Sequence, residues 1–174
     1  MKAILIFSAL ITFGLISLAQ THILPGNVSG TWSISGSPYL IEGEITIPNA
    51  QTLTIEHGVI VEFQGHYTLF VQGRLLAIGN DNSQITFTVT DTTGFYDPNS
   101  PLGGWYGIRF VSTPMQNDTS KIIYCKFEYA KALGNDWYMN AGGAVCSIEF
   151  DKILISNSTF SNCSATRSGG AIFG

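Results

Sequence analysis

Residues 53–63, LTIEHGVIVEF, and residues 69–79, LFVQGRLLAIG, alternate apolar and polar positions with a period of two. They superimpose at an offset of 16, which sets Leu53 on Leu69, Ile55 on Val71, Val59 on Leu75 and Val61 on Ala77. Ile85 and Phe87 stand 16 positions beyond Leu69 and Val71. Alternation of this kind predicts strands with one buried face, and its recurrence predicts stacked parallel coils rather than independent hairpins. The expectation is an all-β chain in which Leu53, Ile55, Val59, Val61, Leu69, Val71, Leu75, Ile85 and Phe87 point into one core. Helical spacing is hard to find after residue 20.

The 16-residue register also bears on Glu56 and His57, a carboxylate beside an imidazole. Their counterparts at that offset are Gln72 and Gly73, and Gly58 follows, so the pair reads as a strand end and a corner rather than an acid/base dyad. Upstream, SPYLIEGEITIPNAQT predicts an irregular coil with Leu40, Ile45 and Ile47 inward, and GTWSIS is placed to close the open end. DTTGFYDPNSPLG, rich in Gly, Pro, Asn and Asp, predicts an excursion from the wall. Strands resume at WYGIRFV, KIIYCKFEYA, GGAVCSIEF, KILISNSTF and GGAIF. In the second of these Ile123, Cys125, Phe127 and Tyr129 share a face, with Lys126 and Glu128 on the other.

The first residues change the picture of where the chain works. MKAILIFSALITFGLISLAQ carries one Lys, an apolar run from Ile4 to Leu18, and small residues at Ser17 and Ala19, the pattern of an export leader cut after Ala19. The run is shorter than the roughly 18–20 apolar residues that span a bilayer. The expected organisation is a signal peptide at 1–19, an N-terminal capping segment at 20–38 and coils at 39–174. The chain stops at GGAIFG as a strand begins, so it reads as the front of a longer protein, truncated at its C-terminus, and its uncapped last coil is expected to self-associate. The predicted location is secreted, extracellular or on the outer cell surface, with no transmembrane segment after cleavage.

Charge narrows the partners. Net charge is −4, and the leader removes one Lys, which argues against nucleic acid. Cys125, Cys146 and Cys163 are odd in number and read as small buried thiols, not a disulfide framework. With His22, His57 and His66 scattered, neither a metal site nor a cofactor is expected. GNDNSQ reads as a turn.

Two groupings remain as candidate chemistry. Arg109, Lys126, Glu128, Glu149 and Asp151 are expected to face outward from successive coils as a solvated ion-pair face. The aromatic doublets Phe95-Tyr96 and Trp137-Tyr138 fall in loops, where flat rings beside polar groups can stack on sugars. They are the candidate binding residues for extracellular glycans or for host or cell-surface proteins. No catalytic residue is assigned. The sequons at Asn27, Asn117, Asn157 and Asn162 matter only in a host that glycosylates N-x-S/T.

From Ser29 onward, SPYLIEGEITIP, QTLTIEHGVIVEFQG, LFVQGRLLAIGN and GGWYGIRF resemble the opening of secreted right-handed parallel β-helix proteins of Bacteroidetes-like bacteria. Those usually have proline where this chain has His57. Gly142-Gly143-Ala144-Val145 and Gly169-Gly170-Ala171-Ile172 resemble the GGA(I/L/V) repeats of chlamydial polymorphic membrane proteins, whereas Phe160-Ser161-Asn162-Cys163 departs from their FxxN signature at Cys163. The resemblance implies a right-handed parallel β-helix and a non-enzymatic adhesive, structural or glycan-binding role. The alternative is a polysaccharide lyase or hydrolase with catalytic coils further downstream. That chemistry needs grouped carboxylates, and the acids of this chain are spread singly.

Overall fold

The computed structural model describes residues 20–134 and 139–174. The expected leader at 1–19 lies outside the described residues, as do Trp137 and Tyr138. Every strand ladder between named strands is parallel, and the chain winds as a right-handed parallel β-helix with three sheets as its walls. Strands are numbered in chain order. Sheet A stacks β1 (Thr21–Ile23), β4 (Tyr39–Ile41), β7 (Ile60–Phe63), β10 (Ile85–Val89), β13 (Cys125–Glu128) and β17 (Thr159–Ser161). Sheet B stacks β2 (Gly26–Asn27), β5 (Ile45–Ile47), β8 (Leu69–Val71), β11 (Ile108–Phe110), β15 (Val145–Ser147) and β19 (Ile172–Phe173). Sheet C stacks β3 (Gly30–Trp32), β6 (Thr52–Ile55), β9 (Arg74–Ile78), β12 (Ser120–Ile123) and β16 (Ile153–Ser156). A two-stranded ladder of β14 (Lys131–Ala132) and β18 (Ser164–Ala165) adds a short fourth side.

All nine residues expected in the core are there, each at most 1% exposed. Period-two alternation fixes which face a residue takes, and burial of aliphatic side chains drives that face inward. Aromatic rings continue the column: Phe63 stacks on Trp105 at 4.4 Å, Phe87 on Phe127 at 4.9 Å and Phe127 on Phe160 at 4.9 Å.

The coil register is not 16. Ile45 pairs with Leu69, 24 positions on. Leu53 pairs with Leu75, 22 positions on, and Val61 with Phe87, 26 positions on. Leu53 and Leu69 lie on different sheets, because one coil holds three strands and the 16-residue offset links strands that follow one another without stacking. Gln72 and Gly73 therefore do not stack on Glu56 and His57. The turn itself stands: the Val59 amide donates to the Glu56 carbonyl across His57 and Gly58, and Gly58 has φ +78°.

Two further phases differ from expectation. In β4 the inward residues are Tyr39 and Ile41, and Leu40 faces outward opposite Glu62. KIIYCKFEYA is two strands, with Tyr124 in the left-handed region at φ 50° between them. That corner resets the alternation, so Ile122 rather than Ile123 is buried. Residues 20–38 supply β1, β2 and β3, one strand to each sheet, with Trp32 stacked on Tyr39 at 4.7 Å.

Arg109 is the largest departure. Its side chain faces away from the core column yet is wholly buried, with no accessible surface. Nη1 donates to the Gly142 carbonyl at 2.6 Å, the guanidinium lies 5.1 Å from the Tyr106 ring centroid, and Nε and Nη2 have no hydrogen-bond partner. Burial lowers its pKa to about 10, against the opposing influence of Cys146 and Tyr106. The expected outward ion-pair face thus shrinks to Lys126 and Glu128, 2.8 Å apart on sheet A, while Glu149 and Asp151 are exposed in the connection after β15.

Candidate functional site: the clefts beside the excursion loop

Between β10 and Trp105 the chain leaves the wall over residues 90–104. Local chemistry sets its turns. The Asp91 carboxylate accepts from the Thr93 amide at 2.8 Å, Asp97 from the Asn99 amide at 2.9 Å, and Ser100 Oγ from the Leu102 amide at 3.2 Å. Gly103 has φ +79°, and a Cβ there would collide with the backbone nitrogen of Phe95. Glycine is needed at that position.

What holds the loop down is Lys131, 3% exposed on β14. Its ammonium donates to the carbonyls of Asp97 at 2.7 Å, Gly94 at 3.2 Å and Leu102 at 3.4 Å, and lies 5.6 Å from the Phe95 ring centroid. A buried ammonium needs such acceptors. Burial lowers its pKa, with Asp97 acting in the opposite sense. Nothing in the sequence around Lys131 marks it for this task, since its acceptors lie 29 to 37 positions away. The foot of the loop is fixed by Trp105, whose indole N–H donates to the Glu128 carbonyl at 2.8 Å.

The aromatic doublet Phe95-Tyr96 is split by this arrangement. Phe95 is 6% exposed and sits edge-on to Tyr129 at 5.4 Å, covering the wall. Tyr96 is 82% exposed, and its hydroxyl lies 3.5 Å from Asn162 Oδ1. Tyr96 and Pro98 form one wall of a cleft of about 220 Å³ whose floor is Ala132, Ser164, Ala165 and Thr166. The side chains of that floor are small, which leaves room beside the ring.

A second cleft of about 220 Å³ opens on the other flank of the loop, lined by Gln64, His66, Asp91, Val89, Pro101 and Leu102 among others. His66 Nε2 donates to the Lys131 carbonyl at 2.8 Å, and the imidazole stacks on Tyr106 at 4.5 Å. Burial lowers the His66 pKa most; the charges of Lys131 and Arg109 lower it further, while the bond to Lys131 opposes them. Hydrogen bonds from Thr93 hold the exposed Asp91 carboxyl below its ordinary range.

The other singled-out residues do not gather into a site. Glu56 and His57 are exposed at their turn, and His22 pairs with Glu42 at the opposite end of the stack. Cys125 and Cys146 are buried and Cys163 half-buried; burial raises the thiol of Cys125 to about 12 and that of Cys163 to about 11. Thiols so raised are poor nucleophiles at neutral pH. Among the described residues no group of three or more His, Cys, Asp and Glu is placed to hold a metal ion, and no helix is long and apolar enough to cross a membrane.

Comparisons with known proteins add one similarity. The chain is 30% identical to "Protein bark beetle" of Drosophila melanogaster over 114 residues, which are 64% of this chain and 4% of that protein. No family model matches the chain, and no solved structure matches it.

Proposed function

We propose that the chain is the wall of a secreted or cell-surface β-helix protein, akin to the Bacteroidetes-type surface proteins its sequence resembles, with a non-enzymatic adhesive role. Residues 1–19 direct export in this reading, and the mature chain begins at Gln20. The observation that carries the binding role is Tyr96, a ring 82% exposed at the edge of a cleft floored by small and hydroxyl side chains. An exposed aromatic face gains from covering the apolar face of a pyranose while hydroxyls such as those of Ser164 and Thr166 exchange hydrogen bonds with the sugar. The partner class is an extracellular glycan.

The test is an oligosaccharide panel, neutral and uronate-containing, applied to the purified chain and to Tyr96→Ala. Binding without turnover is expected, weakened about tenfold or more in the variant. Absence of binding across the panel, or equal binding by Tyr96→Ala, would contradict it. Cleavage of any oligosaccharide would favour the polysaccharide-active alternative. For export, N-terminal sequencing of secreted product should begin at Gln20.

A further inference from the structure

The cleft on the His66 flank has a chemical character of its own, and it does not depend on Tyr96. Three of its polar side chains present acceptors, and the hydroxyl of the fourth, Thr93, is directed at the Asp91 carboxylate. The Nε2–H of His66 is committed to the Lys131 carbonyl, so Nδ1 of the neutral ring carries a lone pair. The amide nitrogen of Gln64 donates to the Glu62 backbone carbonyl and to its carboxylate, each at 3.3 Å, which leaves Gln64 Oε1 as an acceptor. Asp91 accepts from the Thr93 amide and from its side chain and retains further lone pairs on an exposed carboxylate. Val89, Pro101 and Leu102 supply an apolar side.

A ligand that satisfies these groups must donate hydrogen bonds. An anion would meet the Asp91 carboxylate, and the Thr93 hydroxyl beside it is already directed at that carboxylate. A metal ion or ammonium on Nδ1 would meet the field of Lys131 and Arg109, the charges that also oppose protonation of His66. What remains is a neutral molecule with several hydroxyls and an apolar face. We propose that the cleft between His66, Gln64 and Asp91 is a binding site for a neutral polyol, a single sugar residue or a molecule with equivalent vicinal hydroxyls, with His66 Nδ1 as the central acceptor.

The test follows the His66 ring resonances by NMR in the full chain, titrated separately with D-glucose, D-galactose, D-mannose and xylitol, and with zinc chloride as the cation control. At least one polyol should shift the ring resonances saturably. Because a hydroxyl donated to Nδ1 favours the neutral ring, the bound polyol should also lower the apparent His66 pKa further. Lys131, Arg109, Tyr106 and Asp91 are the titratable or charged groups around that ring. Gln64→Ala combined with Asp91→Ala, both at exposed positions, should weaken binding about tenfold or more. Tyr96→Ala should leave it unchanged, so this site and the Tyr96 cleft can fail separately. The proposal is overturned if no polyol gives a saturable shift, if the double variant binds as well as the parent, or if zinc ion binds His66 more tightly than any of the polyols.

Discussion

His57 occupies the second position of a turn whose third residue, Gly58, carries φ +78°, the arrangement in which proline is favoured at the second position. No hydrogen bond of its backbone amide holds the turn; the amides that do belong to Glu56, Gly58 and Val59. His57→Pro should therefore leave the fold intact and stabilise it by about 0.4–1 kcal/mol by restricting the unfolded chain. A loss of that size in chemical denaturation would show the turn to be something else. Tyr124 makes a complementary case. It stands at φ 50° one coil below Asn157 at φ 49°, as the pairing of Ile123 with Ser156 sets it. Asparagine tolerates the left-handed region far better than tyrosine. Tyr124→Asn should raise the denaturation midpoint, by up to about 1 kcal/mol in stability. At this scale the sequence showed the His57 corner through its adjacent glycine. The Tyr124 corner carried no such marker, which is why two strands read as one.

At the scale of the strand, what was legible was the face and what was hidden was the partner. Alternation told that Leu53, Leu69 and Leu75 are inward, because water excludes all three for the same reason. Any even offset superimposes two alternating patterns, so the offset of 16 had no power to choose between stacking and mere succession. Registry comes from corners that the pattern does not contain. Leu75 stacks on Leu53 within a fully buried column, and Leu75→Ala should cost about 2–4 kcal/mol, read from the urea midpoint. A change below half of that would mean that the column is loosely packed. The candidate site was legible only in outline. The excursion loop announced itself by composition, and the Phe95-Tyr96 doublet by its rings. That Phe95 turns inward, that Lys131 ties the loop, and that Arg109 is covered all depend on groups brought together from far along the chain.

Across the described residues, burial is complete in the middle of the stack and partial in its first and last strands. Strands β16 to β19, like β1 and β2, hold no fully buried residue, whereas the strands between them do, and Val145, Ile153, Ile155 and Phe173 line an open hollow of about 440 Å³. Uncovered apolar surface and an unpaired strand row favour association. A product ending at Gly174 should self-associate through this face in light scattering, and introducing charge with Ile155→Lys should reduce that association. A second whole-molecule property is pH. The His66 pKa is lowered in the fold, so the unfolded chain binds the proton more readily. Stability is therefore full above the unfolded value of about 6.5 and falls as the pH drops below it. His66→Gln should flatten that slope between neutral and mildly acidic pH, which urea titrations at several pH values would show.

Three strands make one coil, and successive coils stack in parallel at 18 to 26 residues through the first turns. Scalar couplings across hydrogen bonds, measured by NMR on the labelled chain, report each donor and acceptor by name. The fold requires couplings from the Glu56 amide to the Trp32 carbonyl, from Gln64 to Ile41, from Gln72 to Ile47 and from Thr86 to Val59. A Gln72 amide coupled instead to a carbonyl near residue 55, as a 16-residue coil would place it, would contradict the account.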